Sequence, residues 1–96
     1  MQQYLVIAYD GTDAEALERR MNARPFHFEK ARELKKYDQF VIGGAILNDK
    51  GEMTGSMMVV QFETDEELKN WMDHEPYITG KVWQYIEVKP FKVADV

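Results

Sequence analysis

The sequence predicts an α+β domain of order β-α-β-β-α-β, with one antiparallel sheet and both helices on the same face. Three observations predict it. Four short runs rich in β-branched and aromatic residues read as strands, in the neighbourhoods of Tyr4–Tyr9, Gln39–Leu47, Gly55–Phe62 and Val82–Lys89. Two longer segments between them carry apolar residues at helical spacing. Right-handed crossovers then place both helices on one side of the sheet. The 96 residues form a single domain, 1–96, with no repeat, linker or low-complexity stretch; a domain of this size buries roughly 60–65% of its unfolded surface.

Each element has a local cause. Tyr4-Leu5-Val6-Ile7-Ala8-Tyr9 is a continuous apolar run stopped by Asp10-Gly11, the pattern of a strand covered on both faces. Thr12 or Asp13 is expected to cap the first helix, and Glu15 and Glu18 suit its positive end. Leu17 and Met21 begin its apolar stripe, and Phe28, Ala31 and Leu34 continue it. Pro25 interrupts the pattern and either kinks the helix or opens a second one. In the second strand Gly43-Gly44 signals a bulge or a close backbone approach. Asn48 to Glu52 is a polar turn, so the second and third strands form a hairpin. Thr64 with Glu67 three residues on is a capping box for the second helix, whose apolar side is Leu68, Trp71 and Met72. His74 to Tyr77 closes it, and Pro90 ends the last strand.

Side chains alternate along a strand, so the last strand sends Val82, Ile86 and Val88 one way and Trp83 and Tyr85 the other. The third strand is likewise apolar on both sides. The helices cover only one face. The other is expected to pair with a second copy, because large apolar patches rarely stay exposed and two-fold dimers are the commonest oligomers. Burying Trp83 and Tyr85 there is worth roughly 2–3 kcal/mol each.

Composition narrows the function. A formal charge of −5 argues against nucleic acid as a partner. No apolar stretch approaches the ~20 residues that span a bilayer, and no basic run suits an anionic membrane surface. Met1-Gln2-Gln3-Tyr4 lacks the features of a signal peptide, and there is no cysteine, so a cytoplasmic protein is expected. Two histidines without ligand spacing make no zinc motif, and no phosphate loop or other cofactor signature is present.

Of the two histidines, His27 in Arg24-Pro25-Phe26-His27 is better placed for chemistry. It lies on the flank of the apolar stripe, near the helix–sheet boundary, where a cleft opens or where an ordinary half-buried histidine sits. An imidazole titrates near pH ~6.5 and is the natural proton carrier at neutral pH. Asp10 is either a turn carboxylate or the group that orients His27; Glu75 is either a solvated acid before Pro76 or the second half of an acid–base pair. Arg24 offers a fork that matches a carboxylate, or a surface ion pair. Ser56 has no nucleophile elbow around it, and His74 at a helix C-terminus reads as structural.

These residues carry a resemblance. Tyr4 to Asp10, Arg20 with Arg24-Pro25-Phe26-His27, Gly55-Ser56, Glu75-Pro76-Tyr77 and Val88-Lys89-Pro90-Phe91, in this order and spacing, make the chain similar to the YciI-like (YCII-related) proteins over nearly its whole length. The resemblance implies a ferredoxin-like fold whose sheets pair into a dimeric α/β barrel. It also implies an active site built from a histidine, matched by His27, and an acidic residue at the end of the first strand, matched by Asp10. Where the family usually writes Asp-Pro-Tyr or Asp-Pro-Phe, this chain has Glu75-Pro76-Tyr77, which keeps the charge one methylene further out.

The resulting expectation is a small enzyme without a cofactor or metal. His27, Asp10 and Glu75 carry the acid–base work on a small cyclic or aromatic metabolite, by isomerisation or elimination. Arg24, Ser56 and Tyr77 bind the substrate. Dehydrochlorination of a chlorinated aromatic is one activity the resemblance implies. The alternative is a dimer that binds or senses a small molecule without converting it.

Overall fold

In the computed structural model, which describes residues 1–96, the strands are β1 (Gln2–Asp10), β2 (Phe40–Leu47), β3 (Met53–Phe62) and β4 (Trp83–Phe91), and the helices are α1 (Ala16–Lys36), α2 (Asp65–His74) and α3 (Pro76–Thr79). They form one antiparallel sheet in the order β2-β3-β1-β4, the ferredoxin-like arrangement expected for this element order. The barrel is not formed. β2 and β4 are the two edges and do not pair with each other, so the sheet is open. Four twisted strands are well short of the roughly eight that close around a packed interior. No helix is long and apolar enough to cross a membrane.

Alternation in β1 builds the core. Tyr4, Val6 and Ala8 point at the helices and are buried, opposite Val60, Met58 and Ser56 of β3. Ala23 and Leu34 of α1, Trp71 of α2 and Phe62 of β3 complete this layer with Tyr77, Val82 and Trp83. The opposite face carries Leu5, Ile7, Ile46 and Met57, all partly exposed, around the buried Val59, with Ile42, Tyr9 and Tyr85 at 56%, 45% and 54% exposure.

Four local expectations change. Helix α1 runs unbroken through Pro25, which forfeits only the bond its N–H would have made to the Met21 carbonyl. Its start is not capped by the Thr12 or Asp13 side chain. It begins after Glu15 without a side-chain cap, and the Asp13 carboxylate is instead gripped by Arg19 through two bonds of 2.8 and 2.6 Å. A short helix, α3, follows Glu75, with Pro76 in the first turn where a missing N–H costs nothing. Finally, Trp83 lies on the helix face. Tyr9 pairs with Tyr85 but Asp10 pairs with Trp83, so Gln84 is an extra residue in β4. Such a bulge reverses the alternation beyond it, and Trp83 joins the core at 4% exposure while Tyr85 stays outside.

The cap of the second helix follows the sequence, whereas the end of β4 and the irregularity of β2 do not. The Glu67 N–H donates to Thr64 Oγ1 at 3.2 Å, forming the cap of α2. Pro90 does not end the last strand: β4 continues through it to Phe91, because an edge strand tolerates the missing N–H. The pairing of β2 shifts at Val41, between Phe40 and Ile42, and again between Ile46 and Leu47, not at Gly43-Gly44; Gly43 is instead a close approach, where an added Cβ would lie 3.1 Å from the Met57 carbonyl.

Candidate active site between α1 and the hairpin

The room for a ligand comes from small residues. On the helix side of β2, Gly43 and Ala45 stand opposite Met58 and Ser56 and contribute almost no side chain. The space they leave beneath α1 is a cavity of about 320 Å³. Phe28, Phe40 and Met58 supply apolar walls, Tyr77 enters from α3, and His27 lies along the α1 side.

His27 is 8% exposed, and its Nδ1 is hydrogen-bonded to Glu75 Oε1. The same Oε1 accepts the Tyr77 backbone N–H at 3.1 Å, which makes it the acceptor for both and places the imidazole proton on Nδ1. Nε2 is then the free nitrogen, without a protein partner, on a ring that lines the cavity. Tyr77 stacks on the imidazole with ring centroids 3.9 Å apart and planes within 13°, and the edge of Trp83 closes another side at 6.1 Å. Glu75 is fully buried because it ends α2 and caps α3 at once, which turns its side chain inward. Its Oε2 has no partner.

Asp10 is elsewhere. Both its oxygens accept from Arg20 Nη1 at 3.0 Å, so it does not orient His27. Arg20 Nη2 donates to Ser56 Oγ at 3.0 Å, and Trp83 Nε1 donates to the same oxygen at 3.2 Å. With both lone pairs taken, Ser56 has only its hydroxyl proton left for a ligand. Asp10, Arg20, Ser56 and Trp83 thus form a buried polar junction beside the cavity, tying α1 to β1, β3 and β4. Arg20, 2% exposed, also lies over the Tyr77 ring, 4.8 Å from its centroid. Its place was signalled by its spacing: Arg20 and His27 are seven positions apart, two turns along one face of α1. Arg24 lines the cavity with its guanidinium 4.6 Å from the Phe28 ring centroid.

Burial pushes the Tyr77 hydroxyl above its ordinary pKa, and the charges of Arg20 and Arg24 work against that rise. The phenol therefore stays protonated near neutral pH, as a donor with no protein acceptor. No three His, Cys, Asp or Glu side chains cluster as ligands for a metal ion. Chemically, the site offers an oriented imidazole with one free nitrogen, a phenolic donor and an arginine around a small, mostly apolar space.

Comparison with known proteins agrees with this frame. Protein YciI of Escherichia coli O6:H1 is 32% identical over 94 residues, covering 92% of this chain and 96% of that protein. A 5-chloro-2-hydroxyhydroquinone dehydrochlorinase from Burkholderia phenoliruptrix, solved with 2,5-dihydroxybenzoquinone, superposes with a TM-score of 0.80 at 20% identity, over 96% of this chain and 95% of its own. A dimeric ferredoxin-like protein of unknown function from Jannaschia sp. gives a TM-score of 0.60 at 15% identity, over 97% and 100% of the two chains. At such identities the two structures speak for the fold. The model of the YCII-related domain matches residues 2–92, and with the relative at 32% identity it shows that this chain belongs to the YCII-related family.

Proposed function

We propose that this chain is an acid–base enzyme acting on a small cyclic or aromatic metabolite in the cavity beneath α1. The observation that carries the reading is the His27–Glu75 pair. A carboxylate that accepts a hydrogen bond from the Nδ1–H fixes the tautomer, leaves Nε2 as the free base of a ring that lines the cavity, and stabilises the imidazolium formed when Nε2 accepts a proton. Returning that proton to a neighbouring atom gives isomerisation; losing a leaving group instead gives elimination. General acid–base catalysis of this kind is worth about 10²–10⁴-fold, and holding the ring in place adds to it. Asp10 serves through Arg20, by fixing the polar junction behind Tyr77.

The dehydrochlorinase of the same fold guides the choice of substrates. A single six-membered ring suits a space of about 320 Å³ walled by Phe28, Phe40 and Met58. Hydroxylated and chlorinated hydroquinones are therefore the first panel, followed by ring-strained lactones and enols. Turnover is read by absorbance and by chloride release. His27→Gln, with an unchanged circular dichroism spectrum, is expected to lose at least about 100-fold in kcat. Turnover that survives His27→Gln rules the reading out. Equal binding of ring compounds by both forms, without turnover of any, favours a dimer that holds a metabolite unchanged.

A second copy of the chain is the proposed cover for the open face of the sheet, where Leu5, Ile7, Ile42, Ile46 and Met57 form one apolar surface. Light scattering at micromolar concentration is expected to give twice the chain mass, and Ile42→Lys with Met57→Glu to give a monomer. A monomeric wild-type protein removes this part of the proposal.

A further inference from the structure

The lining of the cavity is unlike the rest of the molecule. The chain has 17 Asp and Glu against 12 Lys and Arg. Yet the charged side chains around the cavity are Arg20, Arg24, Arg32 and Lys35, with no carboxylate among the lining residues. Arg20 is already committed to Asp10 and Ser56. The other three make no ion pair, although acidic residues are abundant on the surface. Arg24 is only partly exposed, and its flat face rests on Phe28, so its fork is held in place and left without an acceptor.

The helix sets the distances. At about 1.5 Å rise per residue, Arg24 lies roughly 4.5 Å along α1 from His27, on the same face one turn away, whereas Lys35 is roughly 12 Å away on the far side. A single ring whose reacting atom touches His27 Nε2 can bring a substituent to Arg24 but not to Lys35. Arg32 and Lys35 contribute field rather than contact, drawing an anion toward the mouth of the cavity against the negative charge of the whole protein. Tyr77 stacks on His27 and feels the charge of Arg24, so its hydroxyl belongs to the same corner and supplies a second donor.

Building on the proposed use of His27, we infer that the ligand is an acid: a compact ring bearing a carboxylate, held by the Arg24 fork and the Tyr77 hydroxyl while the ring reaches His27. A guanidinium fork matches the two oxygens of a carboxylate, and its bonds to an anion are about twice as strong as neutral ones. Arg24 thereby sets specificity by charge, and the apolar walls set it by size.

The test compares benzoate with its neutral isostere benzamide, by chemical-shift titration of the full chain. Benzoate is expected to bind at least about tenfold more tightly, to shift the signals of Arg24, Tyr77 and His27, and to weaken as salt is raised. Arg24→Gln is expected to cut the preference for benzoate over benzamide to within about twofold. Arg32→Gln with Lys35→Gln is expected to slow association while keeping most of the preference. Benzamide binding at the cavity with no advantage for benzoate overturns the acid assignment and leaves the ligand site standing. A preference that survives Arg24→Gln overturns the role of Arg24. Failure of both compounds to bind at millimolar concentration overturns the inference as a whole, whereas the reading of His27 stands or falls on turnover.

Discussion

Replacing Glu75 by alanine is the sharpest perturbation of this fold that needs no substrate. One oxygen, Oε1, accepts from His27 Nδ1 and from the Tyr77 N–H, and it is the side-chain cap of α3. Loss of a cap costs about 1 kcal/mol. A buried imidazole N–H left without an acceptor costs about 1–3 kcal/mol more. The void left by a fully buried side chain adds to both. The sum, about 3–5 kcal/mol, matches what breaking a buried pair on one side usually costs. For a domain of this length each kcal/mol moves the melting temperature by about 4–8 °C, so Glu75→Ala is expected to melt at least about 12 °C below wild type. Glu75→Gln keeps a carbonyl oxygen for both donors and is expected to lose only about 1–2 kcal/mol. Urea titration with an unchanged slope, together with calorimetry, measures both variants. If Glu75→Ala melts within about 4 °C of wild type, the shared-acceptor argument is wrong. If the two variants lose equally, the charge rather than the hydrogen bonding holds the site.

Three further outcomes are expected. Ser56→Ala strands Arg20 Nη2 and Trp83 Nε1 in the interior and should cost about 2–4 kcal/mol by urea titration, more than the roughly 1 kcal/mol of an ordinary buried hydroxyl; a smaller loss dissolves the polar junction as a structural unit. In Gly55→Ala the new Cβ runs into the Ala8 carbonyl of the adjacent strand, so β1 and β3 must part, and a loss of about 1–3 kcal/mol is expected from equilibrium unfolding. The hydrogen bonds from Arg19 hold Asp13 well below the usual carboxylate range. Its contribution to stability is therefore complete above the unfolded value of about 3.9 and fades as the pH falls through the lower folded value. Asp13→Asn should lower stability at neutral pH and make the acid limb shallower, and parallel curves for the two proteins would contradict this.

Much of the fold was legible because its signals are local. The apolar run of β1, the hairpin turn and the Thr64–Glu67 box each determine a few neighbouring residues, and each element forms where its signal lies. Even α3 had a mark, since Pro76 directly after Glu75 is the pattern of a helix start. His27, Arg24 and Tyr77 line one cavity, and Glu75 stands behind it, bonded to His27. What sequence could not separate was a competition between two carboxylates for two donors, the Arg20 guanidinium and the His27 ring N–H. Asp10 goes to Arg20 and Glu75 to His27 because Arg20 and Asp10 both lie at the β1 end of the cavity, whereas Glu75 is turned inward by the helix it caps. The inward placement of Trp83 was hidden for a similar reason, because a bulge is decided by the partner strand and leaves the composition of its own strand unremarkable.

That bulge gives β4 a change of parity. Before Gln84 the strand belongs to the core and to the polar junction beside the cavity, through Trp83; after it, odd-numbered residues such as Tyr85 face outward. Two odd-numbered aromatic neighbours thus serve opposite sides of the sheet, one in the packed interior and one on the outer surface. Without Gln84, Trp83 would still stand opposite Asp10 and Tyr85 opposite Tyr9, so the indole would keep its side of the sheet; what a deletion would take away is the local bend that sets the indole N–H against Ser56.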